Sequence, residues 1–116
     1  METDTCLAFL DLNPLSKGHA LVIPKKHASK LHELDESELK DILPTLNKIG
    51  KRYIEMGQCT DYNILQNNGK LAHQEINHVH FHIIPKSTSD GLEMSWKSTS
   101  TSTDTLKEFQ SHFLNK

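Results

Sequence analysis

Apolar and polar positions divide the chain into short runs separated by turn residues. Cys6-Leu7-Ala8-Phe9-Leu10-Asp11 is mostly apolar and predicts a buried strand. Asn13-Pro14-Leu15-Ser16-Lys17-Gly18 follows as turn chemistry, because proline fixes φ and glycine permits positive φ. His19-Ala20-Leu21-Val22-Ile23 predicts a second strand stopped by Pro24, so an antiparallel hairpin is expected. Asp35 with Glu38 three residues on marks a helix start. Leu39, Ile42, Leu43, Leu46, Ile49 and Tyr53 then recur at three- and four-residue steps and form one apolar helical face. Pro44 interrupts that face and should bend the helix or make its first half irregular, and Gly57 suits its C-terminal cap. Asp61 to Gln66 predicts a third strand closed by Asn67-Asn68-Gly69, and His78 to Ile84 a fourth ended by Pro85.

The stretch 86–105 is rich in Ser, Thr and Gly and reads as a flexible excursion carrying Trp96. Leu106, Phe109, Phe113 and Leu114 suggest a short closing helix. The expected architecture is one α+β domain over residues 1–116: an antiparallel sheet of about five strands, one long helix and a short C-terminal helix.

Thirteen basic and fifteen acidic residues leave a formal charge of −2, so no broad nucleic-acid surface is indicated, although Lys25, Lys26 and Lys30 form a local basic patch. No apolar run approaches the roughly 20 residues of a membrane span. Met1-Glu2-Thr3-Asp4 lacks the basic and apolar regions of a secretory signal, and Cys6 and Cys59 stand in no CxxC pairing. A reduced protein of the cytoplasm, the nucleus or both is the expectation.

Histidine is the unusual count: eight in 116 residues. In His78-Val79-His80-Phe81-His82-Ile83-Ile84, strand alternation puts Val79, Phe81 and Ile83 toward the core and the three histidines on the other face. Such a face packs poorly and half-charges near neutral pH, so it implies a use. One use is zinc. His78 and His82 would lie about 13 Å apart on an extended strand, so all three can hardly converge on one ion. Two of them, with His27, His32 or His73 as outside ligands, remain an alternative. The other use is nucleophilic catalysis at a phosphate: His80 attacks, and His78 and His82 donate hydrogen bonds to non-bridging oxygens. The Asn67-Asn68-Gly69-Lys70 turn supplies amide and backbone donors that approach the same phosphate.

The His78-to-Ile84 segment fits the His-φ-His-φ-His-φ-φ signature of the histidine triad (HIT) superfamily. Cys6 to Asp11, Gly18 to His27, Asn67 to Gly69 and Gln74 to His82 resemble the Hint branch in order and spacing. Gln66 to Lys70 and Ala72 to Glu75 look particularly like fungal members. The resemblance covers the chain to about Pro85 and then weakens. It implies a HIT-like fold and hydrolysis of purine nucleoside 5'-phosphoramidates, such as adenosine 5'-monophosphoramidate to AMP and amine, through a nucleotidyl-histidine, with no metal or other cofactor. By likeness, His80 is the nucleophile and the carbonyl of His78 holds it in its productive tautomer. The His78 side chain joins a relay with His19, and His82 contacts phosphate. Asp11 accepts the ribose hydroxyls, Leu10 and Leu12 border the base, and Asn67, Gly69 and Gln74 belong to the phosphate site. Trp96 resembles a tryptophan that reaches the second subunit's active site, which implies a homodimer with an AMP-like substrate as its partner molecule.

Simpler readings stand beside these. Asp11 caps the turn at Pro14, His19 is a strand-end packing residue, Asn67 is a turn residue, and His27 and His32 are surface residues. Three features depart from the family's usual pattern. Glu75 stands where many members carry a hydroxyl, and His73 where many carry glycine. The segment ahead of Cys6 is shorter than usual, which predicts a weaker grip on the base. Rival readings are a dinucleoside polyphosphate hydrolase of the same superfamily, a non-catalytic nucleotide-binding module, and a zinc-binding interaction domain using His78 or His80 with His27.

Overall fold

The antiparallel register between the second and fourth strands organises the molecule. The structure is a computed structural model describing residues 1–115. Its described strands are β1 (Cys6–Leu10), β2 (Ala20–Pro24), β3 (Asp61–Gln66) and β4 (Phe81–Lys86), in the spatial order β1-β2-β4-β3. Leu21 lies opposite His82 and Ile64 opposite Ile83, with every pairing antiparallel.

The sheet is therefore four strands among the described residues, not about five. A rudiment of another lies beyond β1, where Glu2 bridges Leu7 and Ala8 N–H donates to Met1 O at 2.8 Å. The triad strand also starts later than its pattern predicts. β3 ends at Gln66, opposite Phe81, and the pairing with β2 also stops at Phe81, opposite Val22, so the residues before Phe81 lie outside the ladder. His78 and His80 sit on an irregular approach, tethered where Val79 N–H donates to Ala28 O at 2.8 Å. The alternation nonetheless survives: Val79 and Ile83 are fully buried and the three histidines half-buried.

One face of the sheet is covered by a helix. The start expected at Asp35 forms a short helix, α1 (Glu36–Leu39), with a reciprocal cap: Glu38 N–H donates to Asp35 and Asp35 N–H to the Glu38 carboxylate. The chain then breaks, and α2 (Ile42–Glu55) begins anew from Asp41. This break accommodates Pro44, which falls in the first turn of α2, where a missing N–H leaves no hydrogen bond unmade. Gly57, at φ +70, ends α2 as expected: Gly57 N–H reaches Ile54 O and Gln58 N–H reaches Tyr53 O, the paired bonds of a left-handed helix stop. Ile42, Leu46 and Ile49 pack on Cys6, Ala8, Ala20, Val22 and Ile83.

α2 also holds the turn between β1 and β2. Tyr53 Oη donates to Gly18 O at 2.6 Å and Gln58 Nε2 to Lys17 O at 3.0 Å. From the other side, buried Ser16 donates to Pro85 O at 2.6 Å.

The C-terminal helix exists but closes nothing. α3 (Thr103–Leu114) forms for local reasons: Ser102 caps it by accepting from Thr105 N–H, and Phe109 stacks on Phe113 one turn on. It buries no residue, and Leu106, Phe109, Phe113 and Leu114 are all more than half exposed. An arm without regular structure carries it away from the sheet. The radius of gyration is 16.9 Å, against about 13 Å for a compact chain of this length.

Ile83 is fully buried between Ala20 and Ile64 on the helix-covered face. Ile83→Ala is expected to destabilise the fold by about 2–5 kcal/mol. Urea unfolding checks this through a lowered midpoint at unchanged slope; a loss below about 1 kcal/mol would mean the core is not centred there.

Candidate active site

Register arithmetic decides which histidines meet. Because β2 and β4 run antiparallel with Leu21 opposite His82, the residue just before β2 lies near His82 and residues just after β2 lie near His78. His19 Nε2 accordingly lies 2.9 Å from His82 Nδ1, and His27 Nδ1 lies 2.9 Å from His78 Nδ1. His80 stands between these pairs, its ring 4.9 Å from that of His82 and nearly edge-on. This corrects the expected relay: the His78 side chain joins His27, and His19 joins His82. The expected pairing fails because His78 and His82 occupy opposite ends of the segment. His27 is a surface residue as expected, and it also meets His78, a pairing the antiparallel hairpin signals because the residues flanking β2 frame the triad.

Backbone groups fix where each proton sits. His80 Nδ1 is 2.7 Å from the carbonyl of His78, which only accepts, so Nδ1 carries the proton and Nε2 keeps its lone pair. His78 Nε2 is 2.9 Å from Pro24 O and donates to it, so in the neutral ring Nδ1 accepts from His27. At the other end Leu15 N–H donates to His19 Nδ1 at 3.1 Å. His19 therefore carries its proton on Nε2 and donates it to His82 Nδ1, which leaves His82 protonated on Nε2. Neither His80 Nε2 nor His82 Nε2 has a hydrogen-bond partner among the described residues, and neither is sealed from solvent.

Charge is kept low here. Burial pulls the His82 pKa down to about 4, assisted by the neighbouring His80 and His19 and opposed by Asp11. Burial also lowers that of His19, against the pull of Asp11. Both rings are thus neutral donors at pH 7.

The remaining candidates divide by what their polar atoms already do. Asp11 Oδ1 accepts from Asn13 N–H at 2.8 Å and shapes the turn, while Oδ2 lies 3.6 Å from His19 Nε2. The turn-cap reading of Asp11 is thus met by one carboxylate oxygen, and the other lies beside the histidines. Leu10 and Leu12 flank it and are exposed. Buried Gln74 accepts from Gly69 N–H and donates to Ser29 O and Ile76 O, which ties its loop to the segment that follows β2. Asn67 Nδ2 donates to Ala72 O at 2.7 Å. His73 adopts φ +68, a left-handed conformation that explains why glycine would suit the position. Glu75 is exposed and makes no hydrogen bond among the described residues. Trp96 is three-quarters exposed on the arm, with no aromatic partner among them.

Comparison with known proteins gives the family. Residues 1–89 match the HIT domain. The chain is 52% identical over 107 residues to an adenosine 5'-monophosphoramidase of Schizosaccharomyces pombe, covering 91% of this chain and 77% of that protein. It is 44% identical to an adenosine 5'-monophosphoramidase of Saccharomyces cerevisiae, over 100% of this chain and 72% of that one. Among solved structures, a histidine triad nucleotide-binding protein from Candida albicans superposes with a TM-score of 0.89 at 37% identity, covering 99% of this chain and 84% of that one.

The depressed His82 has a consequence for stability. Its folded pKa lies below the ordinary 6.5, so unfolding takes up a proton at any pH between 6.5 and about 4. Stability is fully present above that window and falls as pH drops through it. The melting temperature of His82→Gln should therefore decline less steeply from pH 6.5 to 4 than that of the wild type, in parallel thermal scans. Equal slopes would contradict the assigned environment.

Proposed function

The chain belongs to the HIT domain family, and from that premise we propose that it hydrolyses purine nucleoside 5'-phosphoramidates. The observation carrying this reading is His80: the His78 carbonyl accepts from its Nδ1–H, so in the neutral ring Nε2 keeps the lone pair that a nucleophile needs. His80 Nε2 attacks the α-phosphorus and forms a P–N bond. The bond to the substrate nitrogen breaks, and the amine leaves with a proton taken from solvent, which the attacking water of the second step replaces. Water then attacks the nucleotidyl-imidazole, returns the electron pair to His80 and releases the nucleoside monophosphate. His82 stands beside the nucleophile with a free N–H, and charge stabilisation by a positioned donor is what phosphoryl chemistry asks of a site. The His78 side chain, expected as a second donor, instead spends both nitrogens on Pro24 O and His27. Asp11 Oδ2, free of the turn, is the acceptor for the ribose hydroxyls, with Leu10 and Leu12 beside the base. Asn67, Gly69, Gln74 and Glu75 complete the pocket wall.

The second copy belongs to this reading. β3 is an open edge of six residues with Tyr62 and Ile64 part-exposed, a surface that invites pairing with another strand. Joining two β3 edges would extend both sheets across a two-fold axis and let the arm with Trp96 reach the partner's histidines. Two unpaired cysteines suit the cytoplasm or nucleus.

AMP release from adenosine 5'-phosphoramidate in excess chelator is the test. Wild type should turn over, and His80→Ala should lose about 10⁴-fold or more of kcat. Quenched single turnovers analysed by mass spectrometry should show an adenylate on His80. Turnover that stops with chelator would move the chemistry to a metal, and a folded protein that binds AMP without turnover would make it a binding module. For the dimer, sedimentation should give twice the 13.2 kDa chain mass, and Ile64→Asp should return it to the monomer; a wild-type monomer would remove the proposed edge pairing.

A further inference from the structure

The polar atoms around His19 place the control of His82 outside the histidines. Leu15 N–H donates to His19 Nδ1 at 3.1 Å, and Leu15 O accepts from Gly91 N–H at 3.1 Å. Leu15 is thus held from both sides, by a ring it orients and by a turn that begins the C-terminal arm. The rest of its loop is equally fixed: His19 N–H donates to Ser16 O, and Ser16 Oγ to Pro85 O. Gly91 belongs where it is for two reasons. It has φ +103, and a Cβ there would lie 2.7 Å from Pro85 O and 2.8 Å from Lys86 Cδ.

We propose that the Leu15 amide, clamped by Gly91, is a tautomer lock that keeps a proton on His82 Nε2 for donation to a phosphoryl oxygen, with His19 as the positioning residue between them. A neutral imidazole is symmetric enough that its proton can reside on either nitrogen, and the choice follows from the hydrogen bond that the other nitrogen makes. His82 alone carries no such instruction, because its one partner is another histidine. The amide supplies it, because N–H can only donate. His19 Nδ1 must accept, His19 Nε2 must donate, His82 Nδ1 must accept, and His82 Nε2 is left with the proton. Without the amide the pair has two near-equivalent arrangements. In the wrong one, His82 turns a lone pair toward an anionic oxygen and repels it. The identity of the acceptor rests on the phosphoramidate reading; the proton positions do not.

Ring-nitrogen NMR of the free protein at pH 7 tests the lock directly. Long-range ¹H–¹⁵N spectra should show His19 and His82 both with pyridine-type Nδ1 and pyrrole-type Nε2, and AMP should displace the His82 Nε2–H signal. His19→Ala should scramble the His82 tautomer and lower kcat by about 10²–10³-fold with little change in KM. His19→Gln, whose amide can still donate at the Nε2 position, should restore much of both. Gly91→Ala, remote from the chemistry, should give mixed His82 tautomers and a smaller fall in kcat. A wild-type proton on His82 Nδ1, a His82 signal indifferent to AMP, or folded His19→Ala and Gly91→Ala proteins with unaltered His82 nitrogens would each overturn the lock. Wild type that shows the expected nitrogens and AMP response without phosphoramidate turnover would instead uphold the lock and refute the reaction.

Discussion

The pairing of β2 with β4 is the constraint on which the molecule depends. It is built from small, β-branched and aromatic residues: Ala20 opposite Ile83 and Val22 opposite Phe81, with the buried face of both strands closed by α2. A slip of one residue in that register would turn Ile83 outward and His82 into the core, exchanging a buried apolar side chain for an imidazole. The hydrophobic effect that fixes the sheet therefore also fixes which histidines meet. Frame and function share one register, and neither can drift without the other.

That register places two histidine pairs symmetrically about His80, but the pairs are not equivalent. The His27–His78 pair is open to solvent at His27, and its proton order is set by the carbonyl of Pro24. The His19–His82 pair is set by an amide, and His19 is almost fully buried. A carbonyl demands a proton and an amide supplies one, so the two ends receive opposite instructions. At the first end the His78 side chain uses both nitrogens internally and offers the site its backbone oxygen. At the second, the chain of protons ends on a free N–H. An asymmetric arrangement suits a reaction in which one side of the nucleophile must be held and the other must donate.

Much of this was legible in the residues, for reasons that can be stated. The helix start at Asp35, its stop at Gly57 and the first three strands are local events governed by caps, glycine and alternation, and they appear within a residue of where the pattern put them. Pro44 was legible as an interruption; that the chain would restart its helix at Asp41 depended on the sheet beneath. The expected start of β4 is too early because apolar alternation continues through Val79, whereas the ladder begins only at Phe81, opposite Val22 and Gln66. The role of His78 was misassigned because resemblance supplied a relay without a register. α3 was expected to close the core since its apolar spacing is helical. Spacing says that a face exists, not what it meets, and the arm ahead of it carries that face clear of the sheet.

The Asp11–His19–His82 cluster shows how such proton order decides between chemistries. Among the described residues it is a group whose three ligand atoms lie within 4.8 Å of one another, close enough to frame a small cation. Zinc on His19 would need a bare Nε2, with the ring proton moved to Nδ1. That nitrogen faces the Leu15 N–H, and two protons would then point at each other. Relief would require ionising the imidazole or pulling the loop off Ser16 and Gly91, whose bonds anchor it to the end of β4. The same donor that would obstruct a metal is what orders the protons toward His82. Distance alone makes this cluster a candidate for an ion. The direction of one backbone amide makes it a proton path, with a carboxylate near its middle and a free N–H at its end.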